Sequence, residues 1–168
     1  MHGKLRDKLT SLDIIYEDKV KLVNAGKSDY YIDIKKAYGY VLKDICEEVH
    51  EKMDKETTCV AGSGHGGIPL AAGISASYGL RLCLVRERQK DHGLTKIIDG
   101  YIPGKEDKVA IVDDVLTTGG SLIKVIETIT PTQAEIIGCY VVVKRGECSL
   151  PVPLRYLFEY EKKKVGLK

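Results

Sequence analysis

The sequence has little excess charge and lacks the patterns that mark secretion, disulfide frameworks or zinc sites. Its 168 residues carry 26 Lys and Arg against 24 Asp and Glu, a formal charge of +2, whereas nucleic-acid-binding domains usually have a large basic surplus. The five cysteines form no C-x-x-C pair and their number is odd, which favours buried thiols in a reducing compartment. The amino-terminal residues are charged every few positions and contain no apolar signal region. These absences predict a cytoplasmic protein that binds no nucleic acid.

One stretch, from Thr57 to Leu80, contains no Asp, Glu, Lys or Arg. It is long enough to cross a bilayer. Six glycines, one proline and several hydroxyl side chains interrupt it, however. We therefore expect a turn between two shorter elements and no association with a membrane.

Composition and periodicity predict one folded α/β domain over residues 1–168. Hydrophobic residues make up 43% of the chain and charged residues 30%, and no repeat or low-complexity linker divides it. Apolar spacing predicts helices over residues 34–53, 68–78 and 121–130. Short apolar runs predict strands over residues 57–61, 82–86, 109–112, 136–143 and 154–158. Because strands and helices alternate, we expect a doubly wound, mostly parallel sheet with ligands at the carboxyl ends of its strands.

A glycine cluster at residues 61–67 follows the first predicted strand of this sheet and precedes a helix. Its N–H groups could converge on an anion at the helix N-terminus. The cluster lacks the Gly-Lys-[Ser/Thr] ending of a P-loop, but it matches G-x-G-x-x-G, and Glu87 lies twenty residues beyond it. A phosphate loop, a dinucleotide site and a tight turn without a ligand therefore all remain open at this point.

A second loop is more demanding, because an apolar strand runs into the adjacent carboxylates Asp113 and Asp114. Two such carboxylates repel each other and need partners such as ribose hydroxyls or a metal ion. Residues 117–121 then supply hydroxyls and closely approachable N–H groups at a helix N-terminus, which suits a phosphate monoester. The alternative is a polar loop that caps the helix, but capping needs only one such residue.

Four segments resemble motifs of a known family. Residues 113–121 (DDVLTTGGS) resemble the PRPP-binding motif of type I phosphoribosyltransferases. Residues 86–93 (RERQKDHG) are similar to the mobile-loop signature of orotate phosphoribosyltransferases, and residues 26–33 (GKSDYYID) resemble the amino-terminal segment of that family. The glycine cluster and the residues after it resemble its pyrophosphate loop. The similarity covers residues 20–146 in the family's order, which decides against the dinucleotide site.

The resemblance implies a type I phosphoribosyltransferase fold, with a small hood from the N-terminal segment and a mobile catalytic loop at about residues 87–107. It implies transfer of ribose 5-phosphate from PRPP to N1 of orotate, releasing pyrophosphate and giving orotidine 5'-monophosphate for pyrimidine synthesis. Mg2+ would be the cofactor, held mainly through PRPP, with direct protein ligands unknown. A homodimer is implied, in which the mobile loop completes the neighbouring subunit's site.

The resemblance also implies roles for individual residues. The catalytic residues would be Asp113, Asp114, Lys90 and His92. PRPP would be bound by these four and by Arg86, Val115, Leu116, Thr117, Thr118, Gly119, Gly120 and Ser121. Orotate would be bound by Thr117, Arg145, Tyr31 and Ile32. Pyrophosphate would lie against Gly62, Ser63, Gly64, His65, Gly66 and Gly67.

The sequence departs from the family pattern at Glu87, Gly66 and Val23, three positions where some or many members carry lysine. Even so, residues 81–96 contain five basic and two acidic residues, and the cations of the mobile-loop signature remain. Two other functions stay open: transfer to a different base, and a PRPP-sensing regulator that keeps the fold and binds nucleic acid. The absence of a helix-turn-helix appendage and the retained loop cations favour the enzyme.

Overall fold

The computed structural model describes residues 2–16, 20–22, 26–28, 31–86 and 97–160. Its α-helices are α1 (His2–Ser11), α2 (Tyr38–Lys52), α3 (Gly64–Tyr78) and α4 (Gly120–Ile129). Short 3-10 helices lie at Ile34–Ala37 and Thr130–Thr132. Its strands are β1 (Ile15–Tyr16), β2 (Val20–Leu22), β3 (Gly26–Ser28), β4 (Tyr31–Ile32), β5 (Cys59–Ser63), β6 (Arg81–Val85), β7 (Ile98–Gly100), β8 (Lys108–Leu116), β9 (Glu135–Lys144) and β10 (Leu154–Glu159).

Six strands form one sheet in the order β10-β9-β8-β5-β6-β7. All neighbouring pairs in this sheet run parallel except β6 and β7, which are antiparallel. Every residue of β5 is buried, as is β9 from Gly138 to Val143. Such continuous apolar runs are typical of parallel strands covered on both faces. The predicted doubly wound, mostly parallel sheet is therefore confirmed, with all five predicted strands in it.

Helices cover both faces of the sheet, because successive side chains of a strand point to opposite sides. On one face, side chains such as Val60, Ala110 and Val142 pack with residues of α1, α2 and α3. On the other face, side chains such as Ala61 and Ile111 pack with the buried residues of α4. Four of the five cysteines are buried and all five are free thiols, as predicted.

The amino-terminal elements form a hood beside the sheet, defined here as residues 2–37. It contains α1, two antiparallel ladders that pair β1 with β4 and β2 with β3, and the 3-10 helix at Ile34–Ala37. Leu5 and Leu9 of α1 are fully buried in the same cluster as the apolar face of α2. The hood is confirmed, although apolar spacing alone did not predict α1 or its short strands.

The segment predicted as one mobile loop at about residues 87–107 contains a strand. β7 pairs with β6 from Ile98 opposite Val85 to Gly100 opposite Cys83. No sequence pattern predicts this strand, because its three residues, one of them Asp99, lie at a sheet edge and make no apolar run. Pairing with β6, which is tertiary, creates the strand. In the described part of the chain, no helix is long and apolar enough to cross a membrane.

Candidate active site

The predicted site residues follow strands whose carboxyl ends meet at one edge of the sheet. Arg86 follows β6, Thr117 follows β8 and Arg145 follows β9, while α3 begins directly after β5. Strands β6 and β7 lie outside β5 on one side of the sheet, and β9 and β10 lie outside β8 on the other. The crevice between β5 and β8 is thus the point where strand order reverses, which is where ligands bind in open α/β sheets.

The two carboxylates lie within β8, which runs four residues further than the predicted strand. β5 pairs with β8 only as far as Val112, so Asp113 and Asp114 lie beyond the last residue of β8 that is paired with β5. Asp113 accepts a hydrogen bond from the backbone N–H of Asp114 at 2.9 Å, and Asp114 accepts one from Val115 at 2.8 Å. Burial, and then the charge of Asp114, raise the pKa of the Asp113 carboxyl.

The glycine cluster is not a loop, which corrects the prediction that residues 61–67 form one. β5 continues to Ser63 and α3 starts at Gly64, whose φ of 64° lets the chain turn from strand into helix without an intervening residue. His65, Gly66 and Gly67 form the first helical turn. A Cβ on Gly66 would lie 2.2 Å from Asp114 Oδ1. Glycine is therefore required here because the acid pair packs directly on the helix N-terminus, whose dipole favours negative charge.

Lys35, in the hood, contacts the acid pair from the opposite side. Its Nζ lies 3.3 Å from Asp114 Oδ2, 3.0 Å from Asp33 Oδ1 and 3.4 Å from the hydroxyl of Tyr31. Burial disfavours the charged amine, but Asp114, Asp33 and Tyr31 together raise the pKa of Lys35 above its ordinary value. Sequence reasoning missed this residue. The only signal for it was its position two residues after the recognised segment.

Tyr38, the first residue of α2 and the one directly after the hood, contacts α3. Its hydroxyl donates a hydrogen bond of 2.9 Å to the carbonyl of Gly66. Burial, followed by the charges of Asp114 and Asp113, raises the pKa of Tyr38, so this side chain stays a neutral donor. It too was missed, because no motif includes it.

The loop after β8 forms a small concave cradle. A cavity of about 70 Å³ is lined by Asp113, Val115, Leu116, Thr117, Thr118, Gly119, Gly120, Ser121 and Leu122. Gly119 has a φ of 80°, and no side chain caps the N-terminus of α4. Since N-terminal N–H groups of a helix need a partner, the absence of a side-chain cap there leaves them available for an anion. The alternative, a polar loop whose side chains only cap α4, does not fit the described residues, because no side chain caps this helix.

The residues predicted to contact a base are only partly assembled around this cradle. The backbone N–H of Arg145 donates to the carbonyl of Leu116 at 2.9 Å, which holds Arg145 beside the cradle. Tyr31 is half-buried and reaches the acid pair through Lys35. Ile32 is 2% exposed and packs in the core, so only its backbone can face a ligand.

A larger cavity of about 420 Å³ lies beside the start of α3. It is lined by Gly64, His65, Ile68, Pro69, Leu84, Val85, Arg86 and Asp99. The Arg86 guanidinium is 2.8 Å from Asp99 Oδ1, and its Nε is buried with no hydrogen-bond partner among the described residues. Lys90 and His92, the other predicted pyrophosphate contacts, lie outside the described residues, as do Glu87 and Val23.

Comparisons with known proteins agree with this arrangement. The family model described as phosphoribosyl transferase domain matches residues 32–159. The orotate phosphoribosyltransferase of Pyrococcus horikoshii is 35% identical over 158 residues, covering 86% of this chain and 82% of that protein. That of Pyrococcus abyssi is 40% identical over 133 residues, covering 75% of this chain and 71% of that protein.

Solved structures show the same fold. The crystal structure of orotate phosphoribosyltransferase from Aeropyrum pernix superposes with a TM-score of 0.75 at 28% identity, covering 91% of this chain and 92% of that one. The sheet order and these similarities agree on one conclusion. The chain belongs to the phosphoribosyltransferases and, among them, to the orotate phosphoribosyltransferase family.

Proposed function

We propose that this chain is a pentosyltransferase that moves the ribose 5-phosphate group of PRPP to N1 of orotate, giving orotidine 5'-monophosphate and pyrophosphate for pyrimidine synthesis. The observation that carries the proposal is the continuity of β8 with the cradle. Asp113 and Asp114 are acceptors for a sugar diol, and residues 117–121 are donors for its phosphate. The two groups lie on one strand and the turn that follows it.

The acid pair would hold the ribose ring at both hydroxyls. As the bond to pyrophosphate breaks, positive charge develops on the ring, and fixed carboxylates beside it stabilise that charge more than they stabilise the neutral substrate. The N–H groups and hydroxyls of residues 117–121 would hold the 5-phosphate, so the ring cannot rotate away from the attacking base.

The leaving pyrophosphate would lie near Arg86 and the junction of β5 and α3, residues 62–67. Arg86 fits this role because its buried Nε has no hydrogen-bond partner among the described residues, and a planar guanidinium binds phosphate oxygens well. Lys90 and His92 are proposed as further contacts, from the loop beyond Arg86. We also propose a homodimer in which this loop completes the site of the neighbouring subunit.

Mg2+ is proposed as the cofactor. The described residues contain no group of three or more His, Cys, Asp or Glu side chains that could hold a metal ion. That fits Mg2+, which commonly takes most of its ligands from substrate phosphates and water. Bound in this way, it would neutralise charge on the leaving pyrophosphate.

Arg145 is proposed to select orotate through its carboxylate, with Thr117, Tyr31 and the backbone of Ile32 lining the base site. Replacing Arg145 with alanine is therefore expected to lower kcat/KM for orotate about a hundredfold, because the substrate carboxylate loses a charged partner. Affinity for PRPP, measured by calorimetry, is expected to change little.

The matched control is Arg6→Ala, which removes an exposed arginine from α1 and is expected to leave both quantities unchanged. Turnover of orotate by Arg145→Ala at the wild-type rate would contradict the assignment of orotate as the substrate. It would leave transfer to another base as the alternative.

A further inference from the structure

The contact between Lys35 and Asp114 connects the hood to β8. The Nζ–Oδ2 distance is 3.3 Å, and the side chains are 33% and 12% exposed, respectively. The pair is thus partly shielded from water, where the attraction between charges is stronger than at an open surface.

A cation beside the acid pair favours its charged form. Burial and the charge of Asp114 raise the pKa of the Asp113 carboxyl, and the charge of Lys35 lowers it. The titratable groups around Asp114 come from several elements. Lys35 of the hood, Tyr38 of α2 and Asp113 of β8 interact with Asp114 itself, and Asp33 and Tyr31 face Lys35 beside it. Of these five groups, Lys35 alone is a cation. From α3, Gly66 and Gly67 face the pair without a side chain.

The backbone at position 66 leaves no room for a cation on α3. A Cβ there would lie 2.2–2.6 Å from the carboxylate atoms of Asp114, so a lysine at this position would displace the carboxylate. In this chain the cation next to Asp114 reaches it from the hood instead.

Resting on the proposed phosphoribosyl transfer, we propose that Lys35 is a positioning residue. Its ammonium group, 3.3 Å from Asp114 Oδ2, holds this carboxylate in the orientation in which it accepts a hydrogen bond from a ribose hydroxyl of PRPP. Lys35 itself stays charged through neutral pH, because the surrounding acidic groups raise its pKa. Its effect on PRPP passes through Asp114.

The test measures binding of PRPP with Mg2+ by calorimetry, from mildly alkaline to mildly acidic pH, for four variants. Lys35→Met is expected to weaken binding about tenfold at neutral pH. The loss is expected to grow as pH falls, because the Asp113 carboxyl, whose pKa the charge of Lys35 lowers, then takes up a proton at a higher pH. Lys35→Arg, which keeps the charge, is expected to restore most of the affinity and the wild-type pH dependence. In the Asp114→Asn background, Lys35→Met is expected to cause no further loss, because the two residues act as one unit.

The control is Lys43→Met, which removes a lysine of α2 whose side chain is 85% exposed, and it is expected to bind PRPP as the wild type does. Thermal unfolding of each variant checks folding, and Lys35→Gln replaces Lys35→Met if the latter does not fold. An unchanged pH dependence in the Lys35 variants, or a loss of affinity that adds in full to that of Asp114→Asn, would overturn the proposal.

A second assay distinguishes failure of the proposed function from failure of this inference. The binding measurement contains no base, and turnover of orotate by the wild type is measured in parallel. If the wild type binds PRPP but does not use orotate, the assignment of the base fails while the Lys35 comparison stands.

Discussion

Position 66 shows how packing constrains a single residue beyond what a motif states. The sequence predicted a phosphate-binding role for Gly66 from its place in a glycine cluster. The structure adds a steric reason, because Asp114 occupies the space that a side chain would fill. The sequence could not reveal this contact, because residues 66 and 114 lie far apart in the chain and meet only when α3 packs on β8.

Gly66→Ala is expected to displace the Asp114 carboxylate and weaken PRPP binding about tenfold, with a loss of unfolding free energy of about 1–3 kcal/mol from overpacking. Calorimetry with PRPP and thermal unfolding measure the two effects. Gly39→Ala is the matched control, because Gly39 lies on α2 with nothing within 4 Å of an added Cβ, and alanine is expected to stabilise a helix there by up to about 1 kcal/mol. Equal behaviour of the two variants would contradict the steric account.

Among the elements, the strands carry the site at one end and a polar cluster around Asp107 holds them at the other. Asp107, just before β8, accepts hydrogen bonds from Thr58 Oγ1 at 2.9 Å, from the N–H of Gly104 at 2.9 Å and from the hydroxyl of Tyr101 at 2.8 Å, and it pairs with Arg81. Thr58 precedes β5, Arg81 begins β6, Tyr101 follows β7 and Gly104 precedes β8. The cluster therefore connects four strands at the edge of the sheet opposite the candidate site.

Burial opposes ionisation of Asp107, but the N–H of Gly104, Tyr101, Thr58 and Arg81 outweigh it and lower its pKa from 3.8 to about 2. A carboxyl whose pKa is lowered on folding stabilises the fold above its unfolded pKa, and that contribution disappears as pH falls toward the folded value.

Asp107→Asn is expected to lower the free energy of unfolding at neutral pH by about 2 kcal/mol, while the affinity for PRPP stays near that of the wild type. Denaturant unfolding is expected to show the difference shrinking as pH falls from about 4 to about 2. Asp44→Asn, which removes a partly exposed surface partner of Lys8, is the control and is expected to cost less than 1 kcal/mol. A difference that persists unchanged to the lowest pH would contradict the ionic role of Asp107.

For the whole molecule, apolar patterns predicted the central sheet, whereas only the family resemblance predicted the amino-terminal hood, and neither predicted the individual elements of that hood. Strands such as β9 are continuous apolar runs, and an apolar stripe marks α2, so local pattern is sufficient for both. α1 is rich in charge and is positioned by packing against α2, while the hood strands have only two or three residues each and form by pairing with one another. Lys35 and Tyr38 were missed for the same reason: each acts through a tertiary contact with β8 or α3.

At the scale of the whole molecule, the central claim is that one site binds PRPP and transfers its ribose 5-phosphate to orotate. The most direct measurement incubates the protein with PRPP and Mg2+ and, separately, orotate, uracil, adenine or hypoxanthine, following loss of orotate absorbance and release of pyrophosphate. We predict one pyrophosphate released for each orotate consumed, no comparable release with the other bases, and loss of turnover when Mg2+ is chelated. Binding of PRPP without pyrophosphate release with any base, or faster release with a base other than orotate, would contradict the account.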